Sequence, residues 1–135
     1  MANALYDKGR EKFLRGELSW NSHDIKTVLV DTAGYAVNLA THEFLSSIDE
    51  GMRIATSANL GTKTTVAGVA DAADVTYTAV TGAQSEALVI YRDTGDPATS
   101  PLIAYIDTAT GLPVTPNGGD ITVQWDDGAN KIFKL

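Results

Sequence analysis

Ile25-Lys26-Thr27-Val28-Leu29-Val30 is the stretch that decides the fold class. Four of its six residues are β-branched, and apolar side chains fall on both alternating faces. That pattern belongs to a central strand covered on both sides. It stops at Asp31-Thr32-Ala33-Gly34, a run of turn-forming residues. Two later stretches repeat the pattern: Ala87-Leu88-Val89-Ile90-Tyr91-Arg92 and Leu102-Ile103-Ala104-Tyr105-Ile106-Asp107. The nine residues between them, with Pro97 and Pro101, make a loop of ordinary length. Val75-Thr76-Tyr77-Thr78-Ala79-Val80 alternates at period two, as a half-buried strand does. Residues 52–58 and 62–70 are rich in Thr, Ala and Gly and read as weak edge strands. Near the end, Ile121, Val123 and Trp125 share one face of a strand over 121–125, and 131–135 reads as a returning strand. The turn chemistry of Asp126-Asp127-Gly128-Ala129-Asn130 between them predicts a hairpin.

No helical stretch long enough for a crossover separates the strong strands, so their connections are antiparallel. The expected fold is mainly β: an antiparallel β-sandwich or barrel-like domain with one N-terminal helix and a short internal helix. The internal helix is placed at 39–47, with Phe44, Leu45 and Ile48 turned inward. The N-terminal helix is placed at 4–15, with Asn3 as its N-cap and Gly16 as its stop. Gly9 costs such a helix about 1 kcal/mol relative to Ala, which makes a short helix marginal alone. It must dock, either on its own body or on a neighbour. The chain therefore divides into an N-terminal helical arm, 1–16, and a single β-rich domain, 17–135. At 135 residues it is long enough for one real core.

Composition excludes several functions. There is no cysteine, so disulfides and thiolate chemistry are ruled out. A formal net charge of −7 argues against direct nucleic-acid binding, and no apolar run approaches the length of a membrane helix. The opening residues also lack the basic-then-apolar plan of a signal peptide. The charge is unevenly spread. Residues 1–26 carry five basic and four acidic side chains, while residues 27–130 carry three basic and thirteen acidic ones, and Lys131 and Lys134 follow. Basic ends on an acidic body can simply be a solvated surface. Alternatively, the basic ends meet acidic bodies of neighbouring copies, or the acidic body meets a basic partner.

Little points to a reaction. Asp31-Thr32, Asp93-Thr94 and Asp107-Thr108 stand at strand exits, where Asx and Ser/Thr turns explain them; a calcium-binding loop cluster, joined by Asp120, Asp126 and Asp127, is the other reading. His23 and His42 lack a second ligand three or four residues away, and Glu43 cannot face His42 on a helix. No nucleophile elbow or phosphate-binding glycine loop occurs. The chain is therefore not expected to be an enzyme, and no cofactor or metal is expected. Trp20 and Trp125 read as core or interface anchors. Tyr35, Tyr77, Tyr91 and Tyr105 are the aromatic rings a ligand-binding module would need on its surface.

Over nearly its full length the chain resembles small virion proteins of tailed bacteriophages. The resemblance rests on the opening Met1-Ala2-Asn3-Ala4-Leu5-Tyr6-Asp7-Lys8 through Gly16, and on residues 18–20, 24–31, 35–42, 69–77 and 86–91. The ending Gly118-Gly119-Asp120-Ile121-Thr122-Val123-Gln124-Trp125 through Leu135 belongs to it too. It carries no catalytic motif. It implies a capsid decoration, or cement, protein on the outer surface of the head, made in the host cytoplasm and then bridging neighbouring capsid subunits. Its implied partners are the major capsid protein and copies of itself, as a trimer. The rival role is a neck, tail or fibre-associated β-sandwich module that binds a partner protein or host glycan. For a gripping protein, Leu5, Tyr6, Phe13, Leu14 and Trp20 are the expected partner-binding anchors, the first four on the N-terminal arm.

Overall fold

The computed structural model of the chain describes residues 4–125, 128 and 131–135. The proposed cap at Asn3 and the turn residues Asp126, Asp127, Ala129 and Asn130 lie outside the described residues. The strands predicted most strongly form the centre: β2 (Ile25–Val30), β6 (Ala87–Arg92) and β7 (Leu102–Ile106). With β1 (Ala4–Leu5) and β3 (Arg53–Thr56) they make a five-stranded antiparallel sheet in the order β1-β7-β6-β2-β3. The weak segment at 52–58 is thus an edge strand. This main sheet is open, not closed into a barrel.

Both faces of the sheet are covered, as the two-sided apolar pattern requires. Ile25, Leu29, Leu88, Ile90 and Ile106 point to one face; Val28, Val30, Val89, Tyr91 and Leu102 point to the other. A register shift next to Ile90 lets Ile103 and Ala104 both join the first face. Two short ladders cover that first face: β4 (Val69–Ala70) with β9 (Phe133–Lys134), and β5 (Val75–Tyr77) with β8 (Ile121–Val123). Val75, Tyr77, Ile121, Val123 and Trp125 pack down from them. The second face is closed by the segment after β2, which supplies Tyr35, Leu45 and Ile48, together with Tyr6.

The predicted hairpin is not the pairing that forms. β8 joins β5 and β9 joins β4, so the two last strands lie in separate ladders. Side-chain anchoring explains the divergence. The Trp125 amide donates to Asp74 Oδ1 at 3.0 Å and its indole N–H to the Ala73 carbonyl at 2.9 Å, which ties the chain after β8 to the 73–74 loop. The Ile132 amide then donates to Ala70 O at 3.1 Å.

The internal helix expected at 39–47 is a single 3-10 turn, Leu45–Ser47. The Asn38 side chain accepts from the amides of Ala40 and Thr41, and the backbone on either side of Phe44 is committed to the entry of β7. Leu102 N–H donates to Glu43 O and Leu45 N–H to Ser100 O, both at 2.9 Å. Backbone groups spent on a neighbouring segment cannot make helical bonds. Leu45 and Ile48 are buried as expected, and Phe44 is half-buried.

The N-terminal segment divides into β1 and α1 (Asp7–Leu14). β1 pairs with only Ala104 and Tyr105 of β7. Beyond it the Tyr6 amide donates to Ile103 O at 2.9 Å, and α1 takes over the remaining edge. Gly9 explains how closely it does so. A β-carbon there would lie 2.6 Å from the Leu102 carbonyl oxygen and 3.2 Å from Ile103 Cα. The glycine that weakens the helix is the residue that lets it lie on a strand backbone, and the sheet edge is thereby covered.

Candidate functional site

The predicted partner-binding residues separate into two groups. Leu5, Tyr6 and Trp20 are buried in the chain's own core. The Tyr6 hydroxyl lies 2.8 Å from that of Tyr35, and the Trp20 indole donates to Asp71 O at 3.2 Å. Phe13 is half-buried, and Leu14 is 89% exposed.

Leu14 does not stand alone. The other large apolar side chains that are well exposed among the described residues are Val66, at 77%, and Leu135, at 60%. All three lie along one strip. A groove of about 420 Å³ between α1 and the end of β9 is lined by Leu5, Arg10, Phe13, Leu14, Lys134 and Leu135. A second, smaller hollow shares Phe13 and Leu135 with it and continues to Val69. A third shares Val69 and reaches Val66. The groove's walls are braced by rings: Phe133 lies 6.3 Å from Phe13 and meets Trp20 edge-on at 5.3 Å. At the far end, the Leu135 amide donates to Gly68 O at 3.1 Å, which fixes the 66–68 turn beside it. Ala67 in that turn has φ +57, in the left-handed region that non-glycine residues seldom adopt.

The strip is basic. The fold brings together ends of the chain that are more than a hundred residues apart in sequence, so Arg10 and Lys134 flank the same groove. The other cations of α1 and its exit are paired: Lys8 with Glu11, Lys12 with Glu43 at 2.9 Å, and Arg15 with Glu11 and Glu17. No carboxylate among the described residues pairs with Arg10 or Lys134. Lys12 is buried and also sits 5.3 Å from the centre of the Phe44 ring. Lys12 and Gly9 are the buried residues of α1.

The remaining candidate groups have local partners. Asp31 Oδ1 accepts from the Ala33 amide and Asp93 Oδ1 from the Gly95 amide, both at 2.9 Å, which are Asx turns. Asp93 Oδ2 also lies 2.8 Å from the Lys26 ammonium, and that ion pair holds its carboxyl below the usual value. Among the described residues no group of three or more His, Asp or Glu side chains gathers at metal-binding range. Glu43, beside His42 in sequence, is the partner of Lys12. His42 Nδ1 accepts from the Asn38 amide at 3.3 Å, so the Tyr35 hydroxyl at 2.8 Å donates to the same nitrogen. Tyr35 in turn accepts from Tyr6, giving a relay from the core to the surface. Burial pushes the Tyr6 hydroxyl pKa strongly up and the His42 imidazole pKa down. His23 Nδ1 accepts from the Ser19 amide at 3.0 Å. Tyr35, Tyr77, Tyr91 and Tyr105 are all buried.

Leu5, Phe13 and Leu14 are expected anchors that do line the groove; its other wall, Lys134 and Leu135, comes from the opposite end of the sequence, where the basic character of both ends is the only signal. No protein-family model matches the chain, and no curated protein matches it either.

Proposed function

We propose that this chain is a structural protein of a tailed-bacteriophage particle that decorates or cements the head by bridging neighbouring capsid subunits. The observation that carries the reading is the exposed apolar strip of Leu14, Leu135 and Val66. Water-facing side chains of this size, gathered on one face, are a contact surface in search of a cover. Each such side chain, once fully covered, contributes about 1.5–3 kcal/mol before the costs of association. A modest single contact becomes persistent when it repeats across a symmetric shell. The resemblance to virion proteins supplies the setting: the major capsid protein and copies of the chain itself as neighbours, on the outer surface of the head. A tail or fibre module that stacks host glycans needs surface rings, and the four tyrosines that could supply them are in the core.

Sedimentation of the purified chain with phage heads that lack it tests the proposal. The expected result is that the wild-type chain travels with the heads and the Leu14→Ser, Leu135→Ser double variant stays in solution. Equal binding by the two proteins would remove the strip from the account. Wild-type chain that binds purified tails and not heads would replace decoration by the neck or tail role.

A further inference from the structure

We infer that the groove between α1 and β9 receives an acidic, apolar segment of a different protein, and that a second copy of this chain does not fill it. The inference rests on the assembly role proposed above and names the chemistry of the partner at that face.

The groove has an apolar lining, from Leu5, Phe13, Leu14 and Leu135, and two rim cations, Arg10 and Lys134, that form no ion pair with a side-chain carboxylate among the described residues. A symmetric contact, groove against groove, would place these cations against their own copies, and like charges at a contact oppose it. A head-to-tail contact would place the groove on the acidic body of a neighbour, which suits the charges. It does not suit the apolar groups. Among the described residues the large, well-exposed apolar side chains are Leu14, Val66 and Leu135, all on this same strip. Among the described residues the acidic body therefore offers no well-exposed large apolar side chain to fill the groove, and Leu14 and Leu135 would be covered largely by polar surface. Both requirements are met together by a segment that carries aliphatic or aromatic side chains between carboxylates. The apolar groups then fill the groove while the carboxylates meet Arg10 and Lys134, giving affinity from the first and orientation from the second.

Two synthetic peptides serve as probes. Both hold the same leucine–phenylalanine–leucine centre, one flanked by glutamates and the other by lysines. They are titrated into the isotope-labelled full chain and followed by NMR, with the free chain examined by sedimentation equilibrium. The glutamate-flanked peptide is expected to shift Phe13, Leu14 and Leu135 and to bind at least about tenfold more tightly than the lysine-flanked one, with the difference shrinking at high salt. The Arg10→Glu, Lys134→Glu double variant, whose altered residues are both exposed, is expected to reverse that preference. Equal binding of the two peptides overturns the inference, and so does failure of the acidic peptide to bind at about 1 mM. A dimer of the free chain that Leu14→Ser abolishes also overturns it, because the occupant is then a second copy. Any of these results, with heads that still bind wild-type chain and reject the Leu14→Ser, Leu135→Ser variant, leaves the assembly role standing and removes only the partner chemistry.

Discussion

At Gly9 two preferences oppose each other. Alanine would favour the helix by about 1 kcal/mol, yet its methyl group would press on the Leu102 carbonyl and force α1 off β7, an overpacking cost of about 1–3 kcal/mol. Gly9→Ala is therefore expected to lower stability in denaturant titration; a gain would mean that α1 does not lie on the strand backbone. The imidazoles give a second residue-scale prediction. Burial lowers the His42 pKa; for His23 burial leads, followed by the charges of Arg92 and Lys63. Both folded values lie below the ordinary value near 6.5, so as pH falls the unfolded chain takes up protons first. Stability is fully present above that value, declines as pH falls through it, and levels off once the folded imidazoles also titrate. His42→Asn, which keeps an acceptor for Tyr35 and Asn38, is expected to flatten part of that slope in melting curves between about pH 7 and 5. An unchanged slope would place the proton elsewhere. The Lys26–Asp93 pair acts in a separate window, because Asp93 titrates below the ordinary carboxylate value of 3.8.

At the scale of elements, Phe133 is the wedge between α1 and the core, touching both Phe13 and Trp20. Phe133→Ala is expected to cost about 2 kcal/mol, discounted from the full core value because the ring is half-buried, and to speed amide exchange in α1 more than in β6. Uniform acceleration would show that the ring supports the whole core and not the helix. Deletion of residues 1–16 is expected to destabilise the rest, since it strips Leu5 and Tyr6 from the core and bares the β7 edge; a shortened chain that melts like the full one would mean that this segment is energetically separate. The central strands were legible in the sequence because a strand covered on both faces must be apolar at successive positions, and β2, β6 and β7 are. The weak segments were legible only as edges. The last hairpin was misread because an Asp-Gly step reports local turn preference, whereas pairing there is decided by Trp125, whose amide and indole are held by the 73–74 loop. The internal helix was misread for a similar reason: its apolar spacing placed Leu45 and Ile48 correctly inward, but the backbone bonds around them go to the residues leading into β7. Of the groove, Phe13 and Leu14 were legible as arm residues. Arg10, Lys134 and Leu135 were not, because no local pattern links two ends that only the completed sheet brings together.

In the whole molecule, the residues that hold the chain together are distinct from those it offers to others. The two faces of the main sheet are closed by the chain's own segments, while Leu14, Val66 and Leu135 stay in water and contribute little to folding. Replacing all three with serine is therefore expected to leave stability within about 0.5 kcal/mol of wild type. A large loss would make the strip part of the core. The proposed assembly role requires that another protein cover this strip in the phage particle. Hydroxyl-radical labelling of intact particles and of the free chain, read by mass spectrometry, measures that cover side chain by side chain. The account predicts that Leu14, Val66 and Leu135 are labelled in the free chain and protected in the particle. Equal labelling of all three in both states would contradict it.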